Sequence, residues 1–164
     1  MAIDISKIDR DTWLRSVFPE WGTYLTEDIE ETVVPPDKFV MWWLTCCGVW
    51  VRTPGGANIT VDFWTQRGES AKRQKPYEQI QDAQIIRMTG ARNYPPFLRI
   101  SPHVIDPFTI RALDAVLSTH IHGDHICEFV AAAAVKNTDA VFVGPKMCGD
   151  TWASWGVPEK RIVR

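Results

Sequence analysis

The sequence predicts an α/β fold in which parallel strands are covered by helices, and three observations carry that expectation. From residue 111 onward the order reads strand, loop, helix, strand, helix, the alternation expected of a parallel sheet with helical crossovers. Upstream, aromatic- and branched-rich runs flank Pro54-Gly55-Gly56-Ala57, which is hairpin chemistry. Between an apolar run, Leu113 to Leu117, and a helical stretch lies His120-Ile121-His122-Gly123-Asp124-His125. A strand end can aim several such side chains into one small volume.

The elements follow in chain order as one domain over residues 1–164, or one piece of a larger one. Residues 1–36 read as a helical lead-in. Ser6 or Asp9 suits the cap of a first helix, Pro19 and Gly22 interrupt the pattern, and Thr26 to Glu31 begins a second helical piece. Pro35-Pro36 ends any helix. Residues 37–64 read as a β-hairpin, with runs at Phe39 to Leu44 and Val49 to Thr53 and a returning strand from Ile59 to Trp64. Residues 65–110 are an irregular loop region, punctuated by Pro95-Pro96 and Pro102. Residues 111–164 form the strand, ligand-loop and helix units: a strand at 113–118, a helix from Asp124 to Lys136 favoured by its alanine run, a strand from Ala140 to Val143, and a helix opened by Gly144-Pro145 and stopped by Gly156-Val157-Pro158. The chain ends at Arg161-Ile162-Val163-Arg164, where another strand should start, which reads as a truncation.

A net charge of -2, from 18 basic and 20 acidic residues, points to no nucleic-acid surface and no polybasic membrane contact. The N-terminus carries Asp4, Lys7, Asp9 and Arg10 where a signal peptide needs an apolar core, and no apolar run is long enough to span a bilayer. Cys46, Cys47, Cys127 and Cys148 form no CxxC pair, and two are adjacent, which suits no disulfide framework. They read as reduced thiols in a cytoplasmic protein. The eight tryptophans are read as packing, with substrate stacking by one or two as the sharper alternative.

The chemistry concentrates in the histidine cluster. Imidazole nitrogens and a carboxylate are good ligands for zinc and other first-row divalent ions. His120 and His122, two apart on turning backbone, can reach one cation, while Asp124 and His125 can serve a second, and such a pair of ions can activate water. Gly123 allows a tight turn between them, and the following helix brings its positive end near the site. His103, alone between Pro102 and Val104, reads as an ordinary histidine rather than a ligand.

The HxHxDH motif at a strand end before a helix resembles the signature of the metallo-β-lactamase superfamily. The segments Val17 to Gly22, Met41 to Leu44, Val61 to Trp64, Asp106 to Phe108, Asp114 to Leu117 and Trp155 to Pro158 resemble, within it, the bacterial L-ascorbate-6-phosphate lactonases. The resemblance runs along nearly the whole chain and implies the N-terminal half of an αββα sandwich. It implies a cytoplasmic hydrolase that opens the lactone ring of L-ascorbate 6-phosphate to give 3-keto-L-gulonate 6-phosphate, using manganese or zinc, with room for two ions. By position, His120 and His122 would hold the first ion, Asp124 and His125 the second. Asp124 would also orient the attacking water, and Asp62 would support the ligand loop from behind. Family proteins are about twice this length, and their remaining ligands have no counterpart here, so activity is expected to need a C-terminal half.

A cationic group would hold the 6-phosphate, with Arg67, Lys72, Arg73 and Arg87 as candidates. The partner is then a phosphorylated sugar lactone, with no nucleic acid and no membrane, and exposed apolar surface makes homo-oligomers a further expectation. Two alternatives stand beside this reading: another hydrolase of the same fold, a phosphodiesterase or an amidase, and an inactive metal-binding fragment.

Overall fold

A computed structural model describes residues 3–17, 24–44, 46–65 and 105–164. The architecture is α/β, with one mixed six-stranded sheet in the order β1-β2-β3-β4-β5-β6. The strands are β1 Val40–Trp43, β2 Val49–Arg52, β3 Asn58–Val61, β4 Ala115–Leu117, β5 Val141–Val143 and β6 Ile162–Val163. The first three pair antiparallel and the last four pair parallel. The segment read as a hairpin is therefore a three-stranded meander. Its additional turn lies at residues 44–48, where the Leu44 amide donates to the Gly48 carbonyl at 2.7 Å and Cys46 takes φ +49°.

The described part of the lead-in is largely helical; the break expected at Pro19 and Gly22 lies outside the described residues. A 3-10 turn at Ile5–Lys7 is capped by the Asp4 side chain. Helix α1 spans Arg10–Val17, and its start is set by reciprocal bonds between Asp9 and Thr12: the Thr12 amide donates to the Asp9 carboxylate at 2.8 Å and the Asp9 amide to the Thr12 hydroxyl at 2.7 Å. That exchange satisfies two donors at the helix entrance. Helix α2 spans Tyr24–Glu31.

Helix α3 covers Glu128–Asn137 and α4 covers Lys146–Trp155. The helix expected from Asp124 begins four residues later. The amides of His125 and Ile126 both donate to the His122 carbonyl, closing one separate turn, and Cys127 is extended before α3 starts. Residues 122–126 are thus a loop that can point side chains independently of the helix axis. Helix α4 ends in a Schellman motif. The Gly156 amide donates to Ala153 and the Val157 amide to Trp152, with Gly156 at φ +98°, a conformation glycine adopts without penalty.

The core lies on one face of the sheet. Paired strand residues share a face, so Trp42 and Trp50 stand together, as do Val116 and Phe142, and all four are buried. Phe142 packs edge-on against Trp152 at 5.4 Å between ring centroids, and burying a side chain of that size stabilises by about 1.5–3 kcal/mol. The run Ala131 to Ala134 is wholly buried, and its small side chains let α3 lie close to its neighbours. Arg161 donates to the carbonyls of Ala140, Val135 and Ala134, so its cation sits at the negative end of α3. The opposite face carries Met41, Trp43, Val49, Val51, Ile59, Val61, Ala115, Leu117, Val141, Val143 and Val163 by register. Every one is apolar, yet Met41 is 60% and Trp43 66% exposed.

The irregular region read at 65–110 lies outside the described residues except at Thr65 and 105–110, where Pro107–Thr109 form a 3-10 turn. Six tryptophans, Trp13, Trp42, Trp50, Trp64, Trp152 and Trp155, are buried, in keeping with a packing role. Trp21 is outside the described residues. Among the described residues, no helix is long and apolar enough to cross a membrane.

Candidate metal centre

The sheet's connectivity decides where chemistry can gather. Across one edge the register aligns Trp43, Val49, Val61, Leu117, Val143 and Val163. The segments leaving that edge are the 44–48 turn, Asp62 after β3 and Ser118 to His125 after β4. In open α/β sheets the carboxyl ends of parallel strands are where ligands sit.

The histidine motif occupies this edge. The ring centroids of His120 and His122 are 4.4 Å apart and those of His120 and His125 are 3.8 Å apart. The loop is held by the Ser118 amide on the Val143 carbonyl at 3.1 Å and the Ser118 hydroxyl on the His125 carbonyl at 2.9 Å. Gly123 and Asp124 are buried inside the turn. His120 thus stands beside His122 and His125, and His125 beside Asp124, but among the described residues no three of these four bring ligand atoms within 4.8 Å of one another.

Asp62 organises them. It is 5% exposed and sits at φ +51°, a region that Asp and Asn enter more readily than most residues. Its carboxylate accepts from the Thr119 amide and the Thr119 hydroxyl, each at 2.8 Å, and stands 2.9 Å from His125 Nδ1.

These bonds assign the tautomers. A carboxylate only accepts, so His125 Nδ1 carries the proton and Nε2 presents its lone pair. The single Thr119 hydroxyl proton goes to Asp62. His120 Nδ1, 2.9 Å from the same hydroxyl oxygen, must then be the donor, which leaves its Nε2 as an acceptor too. One buried carboxylate therefore leaves the outer nitrogens of two imidazoles as acceptors, the arrangement that supporting carboxylates produce in histidine–metal sites.

His125 Nε2 is 3.6 Å from Asp124 Oδ2. Two donors on one tetrahedral ion, each about 2.1 Å from it, stand roughly 3.4 Å apart, so this pair is spaced to share a cation. Burial, and next the neighbouring His125 and His122, push the His120 pKa below its usual 6.5. That favours the neutral form a metal needs.

A second donor set meets the first at Asp124. Among the described residues, Cys46, Cys47 and Asp124 form the set of three whose ligand atoms all lie within 4.8 Å of one another. Cysteine counting does not find them, because adjacent cysteines match no zinc spacing. The usable signal is that a Cys-Cys pair sits in a turn at the same sheet edge as the motif. His103 and the cationic candidates Arg67, Lys72, Arg73 and Arg87 lie outside the described residues. A cavity of about 310 Å³ lined by Ile29, Trp50, Arg52, Asn58, Ile110 and Arg111 opens toward the other edge, at the Asn58 end of β3, and holds none of these donors.

No family model matches the chain. The protein named probable L-ascorbate-6-phosphate lactonase UlaG of Escherichia coli O127:H6 is 47% identical over 161 residues, covering 97% of this chain and 45% of that protein. The same name, identity and coverage hold for the protein of Escherichia coli O45:K1, and the one from Escherichia coli O139:H28 is 46% identical over 161 residues. The chain spans about 45% of the length of these curated relatives. Over nearly its whole length, then, this chain is homologous to part of the L-ascorbate-6-phosphate lactonases, a branch of the metallo-β-lactamase superfamily.

Proposed function

We propose that this chain is the N-terminal, metal-binding part of a metallo-β-lactamase-fold hydrolase that opens the lactone ring of L-ascorbate 6-phosphate to give 3-keto-L-gulonate 6-phosphate. One observation carries the reading: three imidazoles and Asp124 gather at the end of β4, with Asp62 and Thr119 turning His120 and His125 so that both present Nε2. The relatives' name supplies the substrate class. The partly exposed apolar face supports the fold assignment, because a sheet apolar on both sides needs a layer on each, and in the αββα sandwich that layer is a second sheet. The ligands beyond those of this chain are assigned to the rest of the protein.

The donor set fits a divalent ion of the zinc or manganese class: neutral nitrogens, a carboxylate and a spacing suited to shared coordination. When bound, such ions acidify a water and polarise a carbonyl. The chain's own residues do the rest. His120 and His122 hold one position, while Asp124 and His125 hold the other. Asp124 also accepts a hydrogen bond from the attacking water and so aims it at the lactone carbonyl. Asp62, accepting from Nδ1, fixes the His125 tautomer that presents Nε2. The enzyme acts in the cytoplasm on a phosphorylated sugar lactone, and the apolar face that needs a cover gives copies of the chain a surface for self-association.

Substituting His122→Ala in the full-length protein is expected to abolish lactone hydrolysis and lower metal content measured by atomic absorption. Retained turnover would reject the assignment.

A further inference from the structure

We propose that Cys46 and Cys47, with Asp124, form a soft-metal site beside the histidine cluster, so that thiolate ligands set which ion the centre prefers. The proposal does not depend on the lactone being the substrate. The sheet's topology brings the residues together: β1 runs parallel to β3 and β4, so its C-terminal turn opens at the edge where the ligand loop of β4 also opens.

The turn is not slack. The Leu44 amide on the Gly48 carbonyl closes it at 2.7 Å, and the Trp43 indole nitrogen donates to the Cys46 carbonyl at 3.0 Å. Cys46 holds φ +49°, a left-handed conformation that costs an ordinary L-residue about 1–2 kcal/mol. Strain of this kind persists where surroundings enforce it and gathers at functional sites.

The spacing suits coordination. Cys46 Sγ and Cys47 Sγ are 3.9 Å apart, against roughly 3.8 Å for two sulfurs about 2.3 Å from one tetrahedral zinc. That distance is also well beyond a disulfide bond. An oxygen of Asp124 lies within 4.8 Å of both sulfurs. Cys46 is half-buried and Cys47 exposed, so an ion can reach them. Asp124 belongs to both donor sets and joins the soft site to the imidazoles. Two thiolates favour zinc, cobalt or cadmium, whereas manganese prefers oxygen and nitrogen donors.

The test uses cobalt as a spectroscopic stand-in for zinc. Stoichiometric cobalt should produce an intense sulfur-to-metal charge-transfer band in the near ultraviolet. The band should survive His122→Ala, which disables only the histidine cluster, and vanish in Cys46→Ser/Cys47→Ser. Zinc affinity of the double variant should fall by at least the roughly 10–100-fold that loss of a supporting partner alone costs, while manganese affinity stays within twofold. Should the serine variant fail to fold, alkylation of the unaltered protein decides. Cadmium should slow iodoacetamide labelling of Cys46 and Cys47. Cys127 and Cys148, whose thiols burial pushes up to about 11, should stay unlabelled either way as internal standards. No charge-transfer band, a band unchanged in the double variant, or labelling of Cys46 and Cys47 indifferent to cadmium overturns the proposal.

Discussion

Replacing Asp62 with asparagine isolates the charge at the centre of the site. Asparagine tolerates the φ of +51° at this position, so the backbone has no reason to move. What changes is hydrogen bonding. The carboxylate accepts from three donors: the Thr119 amide, the Thr119 hydroxyl and His125 Nδ1. An amide offers one oxygen and places an NH₂ where an acceptor stood. Losing one charge-assisted bond costs about 1.5–3 kcal/mol, and a second donor left facing a donor adds a desolvation penalty of about 1–3 kcal/mol. Rotation of the Thr119 hydroxyl recovers part of this, so about 2–4 kcal/mol of lost stability is expected.

The second effect is on metal binding. The new NH₂ can donate to His125 Nδ1, which drives the imidazole to its other tautomer and puts a proton on Nε2, where the metal should bind. Metal affinity is therefore expected to fall by about 10–100-fold. Urea unfolding of the metal-free protein, followed by tryptophan fluorescence, reads the first effect, and calorimetric zinc titration reads the second. A variant that loses stability while binding zinc as before would show that Asp62 only braces the loop. A variant unchanged in both would refute the tautomer argument.

Two further outcomes follow from packing and from proton linkage. A Cβ at Gly144 would lie 2.9 Å from the Ser118 carbonyl oxygen and 3.1 Å from both Cys148 Cβ and Trp152 Cη2. Gly144→Ala should therefore destabilise by about 1–3 kcal/mol. Gly149→Ala, whose added carbon has as its three nearest neighbours atoms of the flexible Arg164 side chain, should change the thermal midpoint little, and equal losses in scanning calorimetry would contradict this contrast. For His120 the folded pKa lies below the usual 6.5, so the folded protein holds fewer protons than the unfolded chain just below that value. The stability from this group is full above the unfolded pKa and is lost as pH falls through the folded one. Midpoints of the metal-free protein should drop as pH falls below about 6.5, and metal affinity should drop with them as protons compete for the imidazoles. A flat profile over that window would remove the neutral-imidazole assignment.

Much of the fold is legible because period and punctuation agree in it. The alternation after residue 111 reads directly as β4-α3-β5-α4, and Gly156-Val157-Pro158 marks the end of α4 within a residue. The start of α3 is less legible. Helix propensity rises through the alanine run, but nothing in composition says that the His122 carbonyl will take two amides and close a turn of its own. All three antiparallel strands are legible as runs of aromatic and branched residues, but the turn joining the first two is not, since 44–48 carries no Asn-Gly or Pro-Gly signal and relies on Cys46 adopting a positive φ.

The site divides along similar lines. His120, His122, Asp124 and His125 are contiguous, so a local motif finds them. Asp62 lies 57 residues before Thr119, and reading its role took likeness to known proteins, because no periodicity joins them. Cys46 and Cys47 escaped because their meaning depends on strand direction, which spacing alone does not reveal.

Strand direction is also what separates reactive from structural residues in this fold. Because β1, β3, β4, β5 and β6 run the same way, their C-terminal ends gather the described candidate ligands on one edge: the thiols after β1, and the imidazoles and Asp124 after β4, with the supporting Asp62 after β3. The opposite edge gathers bonds that only hold the sheet, such as the Asn58 amide on the Asp114 carboxylate at 2.7 Å and the Trp50 indole on the Asn58 side chain at 3.1 Å. A substitution at the second edge should shift stability without moving metal preference, and one at the first should move metal preference even where stability survives. That asymmetry is a property of the topology, so reversing the direction of β1 alone would carry the thiols to the far edge and leave Asp124 with imidazole partners only.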